Sequence, residues 1–140
     1  MTIGQLGREA GIRPSAIRYY ERLGLLPAPE RRSGRRDYTD SAVAHLAVVQ
    51  FALATGFTLR EARQLVRGFS AGTPASARWR ALAEVKMRDI DTLIAQAEAM
   101  KRLLGRISRC QCENLDECGR GLARVRQTWV NTGKAKRRAS

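Results

Sequence analysis

Three cysteines, Cys110, Cys112 and Cys118, fall within nine residues in a C-x-C-x5-C pattern. Their loop carries three acids, Glu113, Asp116 and Glu117, and no base. Nothing in the sequence suggests secretion, so a structural disulfide is not expected. Closely spaced thiolates in a reducing compartment are soft ligands, suited to Cu(I), Zn(II), Hg(II) or Pb(II), or to an iron–sulfur cluster. Acidic neighbours disfavour free thiolates, so a bound cation is what would stabilise them. The spacing is not that of a zinc ribbon. Three thiols also fall one short of a four-cysteine site, which makes a [2Fe–2S] cluster the less favoured occupant. Thiol redox chemistry, and reduced cysteines that bind nothing, are the alternatives.

A second group of residues suits a different task. The chain carries a net charge of +13, and residues 1–69 hold eleven Arg, no Lys and six acids. Seven of those arginines lie between Arg13 and Arg36. Arginine meets phosphate and guanine edges through a planar two-pronged fork that an ammonium cannot imitate. Arg-biased codon usage accounts for a shortage of Lys but not for this clustering. So large an excess of positive charge favours polyanions. Nucleic acid is preferred to an acidic membrane surface, since no apolar run approaches the ~18 residues of a spanning helix and no secretory h-region opens the chain. A cytoplasmic location is expected. The single histidine, His45, is far in sequence from the cysteines and is read as a surface or packing residue. No Ser/His/Asp set, Cys/His pair or phosphate-cradling glycine loop is present, so an enzyme is not expected.

These groups need elements to carry them. Thr2-Ile3-Gly4-Gln5 fits a capping box for a first helix, with Ile3, Leu6 and Ala10 facing inward and Gly11 ending it. Pro14 suits the first turn of a second helix and Gly24 its C-terminal cap. Two helices joined by a short glycine-containing turn make a helix-turn-helix, here about 4–23. Helical periodicity puts Ala16, Ile17, Tyr20 and Leu23 on one side of the second helix, and Ser15, Arg18, Tyr19 and Arg22 on the other. The first set packs on helix one, and the second is free to enter a major groove. Pro27 and Pro29 exclude helix after Leu26. Residues 30–38 have hairpin character, with Ser33-Gly34 at the tip and arginines on both flanks, as in a wing. A third helix is expected from about Thr39 to Thr55, carrying Val43, Leu46, Ala47, Phe51 and Leu53. A fourth opens on the capping box Thr58-Leu59-Arg60-Glu61 and ends near Arg67.

From 75 to 107 one long helical pattern carries Ile90, Leu93, Ala97, Met100, Leu104 and Ile107 in steps of three and four, a heptad seam. As a single helix it reaches ~50 Å. Such a rod has no core of its own. Its stripe is covered either by a second copy in a coiled-coil homodimer, which the regularity favours, or by folding back on residues 1–69. Residues 108–126 then form the cysteine loop and a short helix over Leu122–Arg126. Residues 134–140, with four basic residues in seven, read as a disordered tail that adds nonspecific DNA affinity or is simply solvated.

Taken together, Ile3-Gly4-Gln5-Leu6, Gly11-Ile12-Arg13, Ile17-Arg18-Tyr19-Tyr20-Glu21, Gly24-Leu25-Leu26, Arg35-Arg36-Asp37-Tyr38 and Gly56-Phe57-Thr58-Leu59 closely resemble the MerR family of bacterial transcription regulators. The match runs over 1–107 in order and spacing. The resemblance implies a mostly α chain, in which a winged helix-turn-helix domain at 1–69 is followed by a dimerisation helix at 75–107 paired as an antiparallel coiled coil. It implies binding to a palindromic operator inside a promoter with an overlong spacer. An effector at the end of the dimer helix then bends and untwists that double-stranded DNA, so that RNA polymerase is engaged indirectly, through the promoter. Carried over by position, Ser15, Arg18, Tyr19, Tyr20 and Arg22 meet DNA from the recognition helix, and Arg35, Arg36 and Tyr38 meet it from the wing. Cys110, Cys112 and Cys118 are the implied metal ligands. The seven-residue gap between Cys110 and Cys118, and Ser76 at the start of the dimer helix, resemble the copper-responsive CueR branch. C-x-C-x5-C also resembles the last three ligands of the SoxR iron–sulfur loop, but Ile107 stands where the first cysteine of that loop belongs. The expectation is a metal-responsive regulator with the metal left open. A SoxR-like redox sensor, or a constitutive DNA-bending protein with a structural metal clip, is the alternative.

Overall fold

The computed structural model describes residues 1–133, and the basic stretch 134–140 read as a tail lies outside the described residues. The chain divides into two compact units, Met1–Glu84 and the part from Val85 onward.

In the first unit, α1 (Ile3–Ala10) begins with a complete capping box: Thr2 accepts from the Gln5 amide while the Gln5 side chain accepts from the Thr2 amide. Two of the four amides that a helix start leaves without intrahelical acceptors are thereby satisfied. Gly11 closes α1 in the left-handed conformation, and α2 (Pro14–Arg22) follows with Pro14 in its first turn. Its C-terminal cap is Leu23, with Gly24 one residue further on at φ +76°. A two-stranded antiparallel hairpin, β1 (Glu30–Arg32) and β2 (Arg35–Asp37), leads into α3 (Asp40–Ala54) and α4 (Leu59–Arg67). Thr58 and Glu61 form the capping box of α4.

Two apolar clusters hold these elements together. In one, Leu6, Ile17, Leu26, Tyr38 and Leu46 tie α1, α2 and the end of the wing to α3. In the other, Leu25, Val49, Ala52, Phe57, Ala62 and Leu65 join α3 to α4. Tyr20 packs against both. The inward face of α3 is Leu46, Val49 and Ala52, whereas Ala47 and Phe51 point outward, Phe51 at 60 % exposure. Fully apolar around much of its circumference, α3 gives periodicity no polar face by which to choose its orientation.

The long helix α5 (Ala75–Ile107) is one uninterrupted element of 33 residues. Its first turns belong to the first unit, where Trp79 and Leu82 pack on the α3–α4 cluster. Trp79 meets Phe57 and Phe51 edge-on, at 6.0 and 5.7 Å between ring centres. In the second unit, Ile94, Leu104 and Ile107 remain exposed, Leu104 at 65 %, while Ile90, Leu93 and Met100 are half-buried. The helix expected at Leu122–Arg126 is instead α6 (Leu115–Arg124), followed by a 3-10 turn at Arg126–Thr128. It starts early because the Asn114 side chain caps it, accepting from the Glu117 amide at 2.9 Å. Among the described residues, no helix is long and apolar enough to cross a membrane.

Candidate nucleic-acid interface and thiol loop

Helix α2 divides as its periodicity requires. Ser15, Arg18, Tyr19 and Arg22 are all exposed, while Ile17 is fully buried and Ala16, Tyr20 and Leu23 are half-buried. The Arg22 guanidinium lies 5.7 Å from the centre of the Tyr19 ring, near enough for a cation–π contact that orders both side chains. Every cation on this outward face is an arginine.

The wing is set by its turn. Arg32 pairs with Arg35, leaving a two-residue loop in which Ser33 (φ +51°) and Gly34 (φ +77°) are both left-handed. That is the type I′ geometry, whose twist matches a two-stranded hairpin and which favours glycine at its second position. Strand register then sorts the arginines. Arg31 and Arg36 share one face, and Arg32 and Arg35 share the other. Arg32 sits 3.2 Å from the Asp37 carboxylate, and Arg36 lies 3.4 Å from Glu21. Arg31 and Arg35 are exposed, with no ion pair among the described residues. Arg31 was missed by motif matching, although its pairing with Arg36 across the hairpin marks it as an equal member of the wing.

Glu21 joins the wing to the recognition helix. One carboxylate oxygen accepts from the Tyr38 hydroxyl and the other faces Arg36, with the Glu21 side chain only 12 % exposed. The expectation that Tyr38 meets DNA from the wing surface is corrected here: the residue is 4 % exposed, packed in the α1–α2–α3 core, with its hydroxyl donated to Glu21. Burial, then the hydrogen bond to Glu21, push its hydroxyl pKa well above the ordinary value. The signal for Glu21 was its position four residues after Ile17, at the edge of the packed face. The N-terminal ammonium also reaches the wing, donating to Asp37 at 3.0 Å and to the Tyr38 carbonyl at 2.6 Å. This hydrogen bond, helped by Arg32, holds the Asp37 carboxyl below its usual range.

The thiols lie in the second unit. Cys110 follows the last turn of α5, its amide donating to the Ile107 carbonyl, and Cys118 sits within α6. All three are free; Cys110 and Cys112 are exposed and Cys118 is half-buried. Desolvation, and then its neighbours Cys110, Cys118 and Glu117, push the Cys112 thiol up to about 11. Cys110 and Cys112 lie on the exposed segment after α5, and Cys118 lies within α6. Among the described residues, no three His, Cys, Asp or Glu side chains converge as a ready-made metal site. The donor set still suits a soft cation: three sulfurs, two of them on a solvent-exposed loop rather than on a packed element.

The family described as MerR HTH family regulatory protein matches residues 1–68, and that described as MerR, DNA binding matches residues 43–107. The HTH-type transcriptional regulator HmrR of Rhizobium leguminosarum bv. viciae is 31 % identical over 119 residues, covering 84 % of this chain and 92 % of its own. The mercuric resistance operon regulatory protein of Bacillus cereus is 33 % identical over 119 residues, covering 83 % of this chain and 90 % of its own. Among solved structures, the transcription regulator PbrR691 from Ralstonia metallidurans CH34 in complex with lead(II) superposes with a TM-score of 0.71 at 30 % identity. That match covers 85 % of this chain and 94 % of PbrR691.

Proposed function

We propose, from the premise that this chain belongs to the MerR family of helix-turn-helix transcription regulators, that it is a homodimeric, metal-responsive switch acting on promoter DNA. The observation that carries the reading is the outward face of α2, where Ser15, Arg18, Tyr19 and Arg22 are exposed together beside a wing tipped with arginines. An exposed helix face of this kind fits a major groove. The exposed wing arginines, Arg31 and Arg35, suit the flanking phosphates, with Arg36 held at the boundary by Glu21. Phosphate contacts position the protein, and one or two α2 side chains per half-site read bases.

The exposed apolar positions on α5 support dimerisation, since Leu104 and Ile107 on the heptad seam, and Ile94 at its flank, remain exposed within their own unit. A second copy laid antiparallel along the heptad seam buries them and presents two recognition helices to a palindrome. Cys110, Cys112 and Cys118 are the ligands assigned to the effector. A thiophilic cation there supplies a positive centre that draws three soft donors, now spread over a loop and a helix, into one arrangement. The relatives named for mercuric resistance and for a lead(II) complex favour this reading over a thiol redox sensor. Relative to apo protein, the metal-bound dimer is expected to bend and untwist the promoter so that RNA polymerase engages it.

The test is run-off transcription from the operator selected by the purified, reduced dimer, titrated separately with Cu(I), Zn(II), Hg(II) and Pb(II). Transcription should rise with at least one metal and stay flat for Cys110→Ser and Cys118→Ser. Variants that respond like wild type overturn the thiol site. A visible charge-transfer spectrum after anaerobic purification replaces it with a cluster.

A further inference from the structure

We infer that Arg78 is the positioning residue that locks the first turn of α5 to the end of α4, so that an effector signal carried by α5 reaches the DNA-reading helices instead of being absorbed by the link between them. The inference rests on the metal-responsive function proposed above.

The link, residues 68–74, is mostly exposed and poor in backbone ties of its own, the Thr73 amide donating to the Ser70 carbonyl within it. It leaves α4 tightly: the Gly68 amide donates to the Gln64 carbonyl at 2.7 Å, and a side chain at Gly68 would place its Cβ 2.6 Å from that same oxygen. Just beyond this point α4 has carbonyls with no partner in the helix, as every helix end does. Arg78 takes two of them, with Nη1 donating to Val66 at 3.0 Å and to Leu65 at 3.3 Å. Its Nε donates to the Thr73 carbonyl at 3.1 Å, and the guanidinium lies 5.8 Å from the centre of the Phe69 ring. One side chain therefore touches the end of α4, the start of the link and its far end, from a position within the first turn of α5.

The chemistry explains why this matters. A cation at the carbonyl end of a helix is favoured by the helix dipole. The planar fork fixes directions as well as distances, which a lysine ammonium does not. Trp79 and Leu82 also hold α5 here, by apolar packing against the α3–α4 cluster. Burial of apolar area is itself non-directional, so hydrogen bonds add what it does not supply, a fixed direction between the two helices. The bonds of Arg78 to Leu65, Val66 and Thr73 supply that direction.

The experiment measures Cu(I), Zn(II), Hg(II) and Pb(II) affinity for the free dimer and for the operator-bound dimer, in wild type, Arg78→Met and Arg78→Lys. The ratio of the two affinities is the coupling between sites, which is reciprocal and falls at roughly 5–150-fold in allosteric proteins. Arg78→Met should keep metal-free operator affinity and free-dimer metal affinity within about threefold of wild type, while the ratio collapses toward one. Arg78→Lys should lie between. An Arg78→Met dimer with the wild-type ratio overturns the inference. So does one whose operator affinity falls in step with its melting temperature, since Arg78 is then a stability residue only. A wild-type dimer that binds no metal, or binds it with a ratio of one, refutes the functional reading and Arg78's part in it together.

Discussion

Replacing Tyr38 with phenylalanine removes one oxygen and leaves the buried ring in place. The lost group is the donor to Glu21, whose side chain is 12 % exposed and whose second oxygen lies 3.4 Å from Arg36. A hydrogen bond to a charged acceptor contributes about 1.5–3 kcal/mol. Arg36 remains beside Glu21 and shares the charge, so the lower part of that range applies, roughly 1.5–2 kcal/mol. In a unit the size of Met1–Glu84, each kcal/mol moves the midpoint by about 4–8 °C, so the variant should melt roughly 6–16 °C below wild type. Trp79, held edge-on by Phe57 and Phe51, reports this unit's unfolding when Trp129 is replaced by phenylalanine in both proteins. Protein concentration must be fixed, because association shifts the midpoint. The same bond predicts a pH effect. Folding raises the hydroxyl pKa of Tyr38 above its ordinary 10.0, so the neutral form is favoured in the native state. That stabilisation is complete below pH 10 and drains away as pH climbs from there toward the folded value. The alkaline loss of stability should be steeper in wild type than in Tyr38→Phe. A melting shift under about 2 °C, or identical alkaline slopes, refutes the Glu21 link as a structural tie between wing and recognition helix.

Arg18→Ala should weaken operator binding by roughly 5- to 150-fold per half-site if it reads a base, while thermal unfolding changes by less than about 0.5 kcal/mol. Unchanged affinity by fluorescence anisotropy removes it from the recognition surface. Ile17→Ala, at a fully buried position between α1 and α3, should cost about 2–5 kcal/mol in urea denaturation. A loss under about 1 kcal/mol means the α2 contact is looser than its burial indicates. Cys110→Ser should leave metal-free operator affinity within about twofold and abolish the metal-induced rise in transcription, as exposed single-site changes away from the core rarely disturb folding.

The recognition helix was legible because its information is local. Thr2 and Gln5, Pro14, and the spacing of Ile17, Tyr20 and Leu23 each act within one or two turns. The type I′ turn at Ser33-Gly34 is likewise written in two residues. What depends on distant partners was not legible. A three-residue strand is too short to show whether Tyr38 faces in or out, and its acceptor is a side chain 17 positions earlier. Arg78 looks like any solvated cation, because its acceptors are backbone carbonyls on α4 and the link. The start of α6 was hidden by Gly119 and Gly121, which depress helix propensity through its middle. Asn114 and Glu117, three apart, were the available cue. Which side of α3 faces inward was lost for the opposite reason, since a helix apolar all round offers too many candidates.

The side-chain cations of α2 and the wing are all arginines, and that surface is closed to the chemistry that silences lysine. Acyl transfer to side-chain amines has four targets in this sequence, Lys86, Lys101, Lys134 and Lys136, and none lies within residues 1–69. Acetylation of lysine therefore cannot erase charge from α2 or the wing. Control by lysine acylation has its targets from Lys86 onward, outside the helix-turn-helix and the wing.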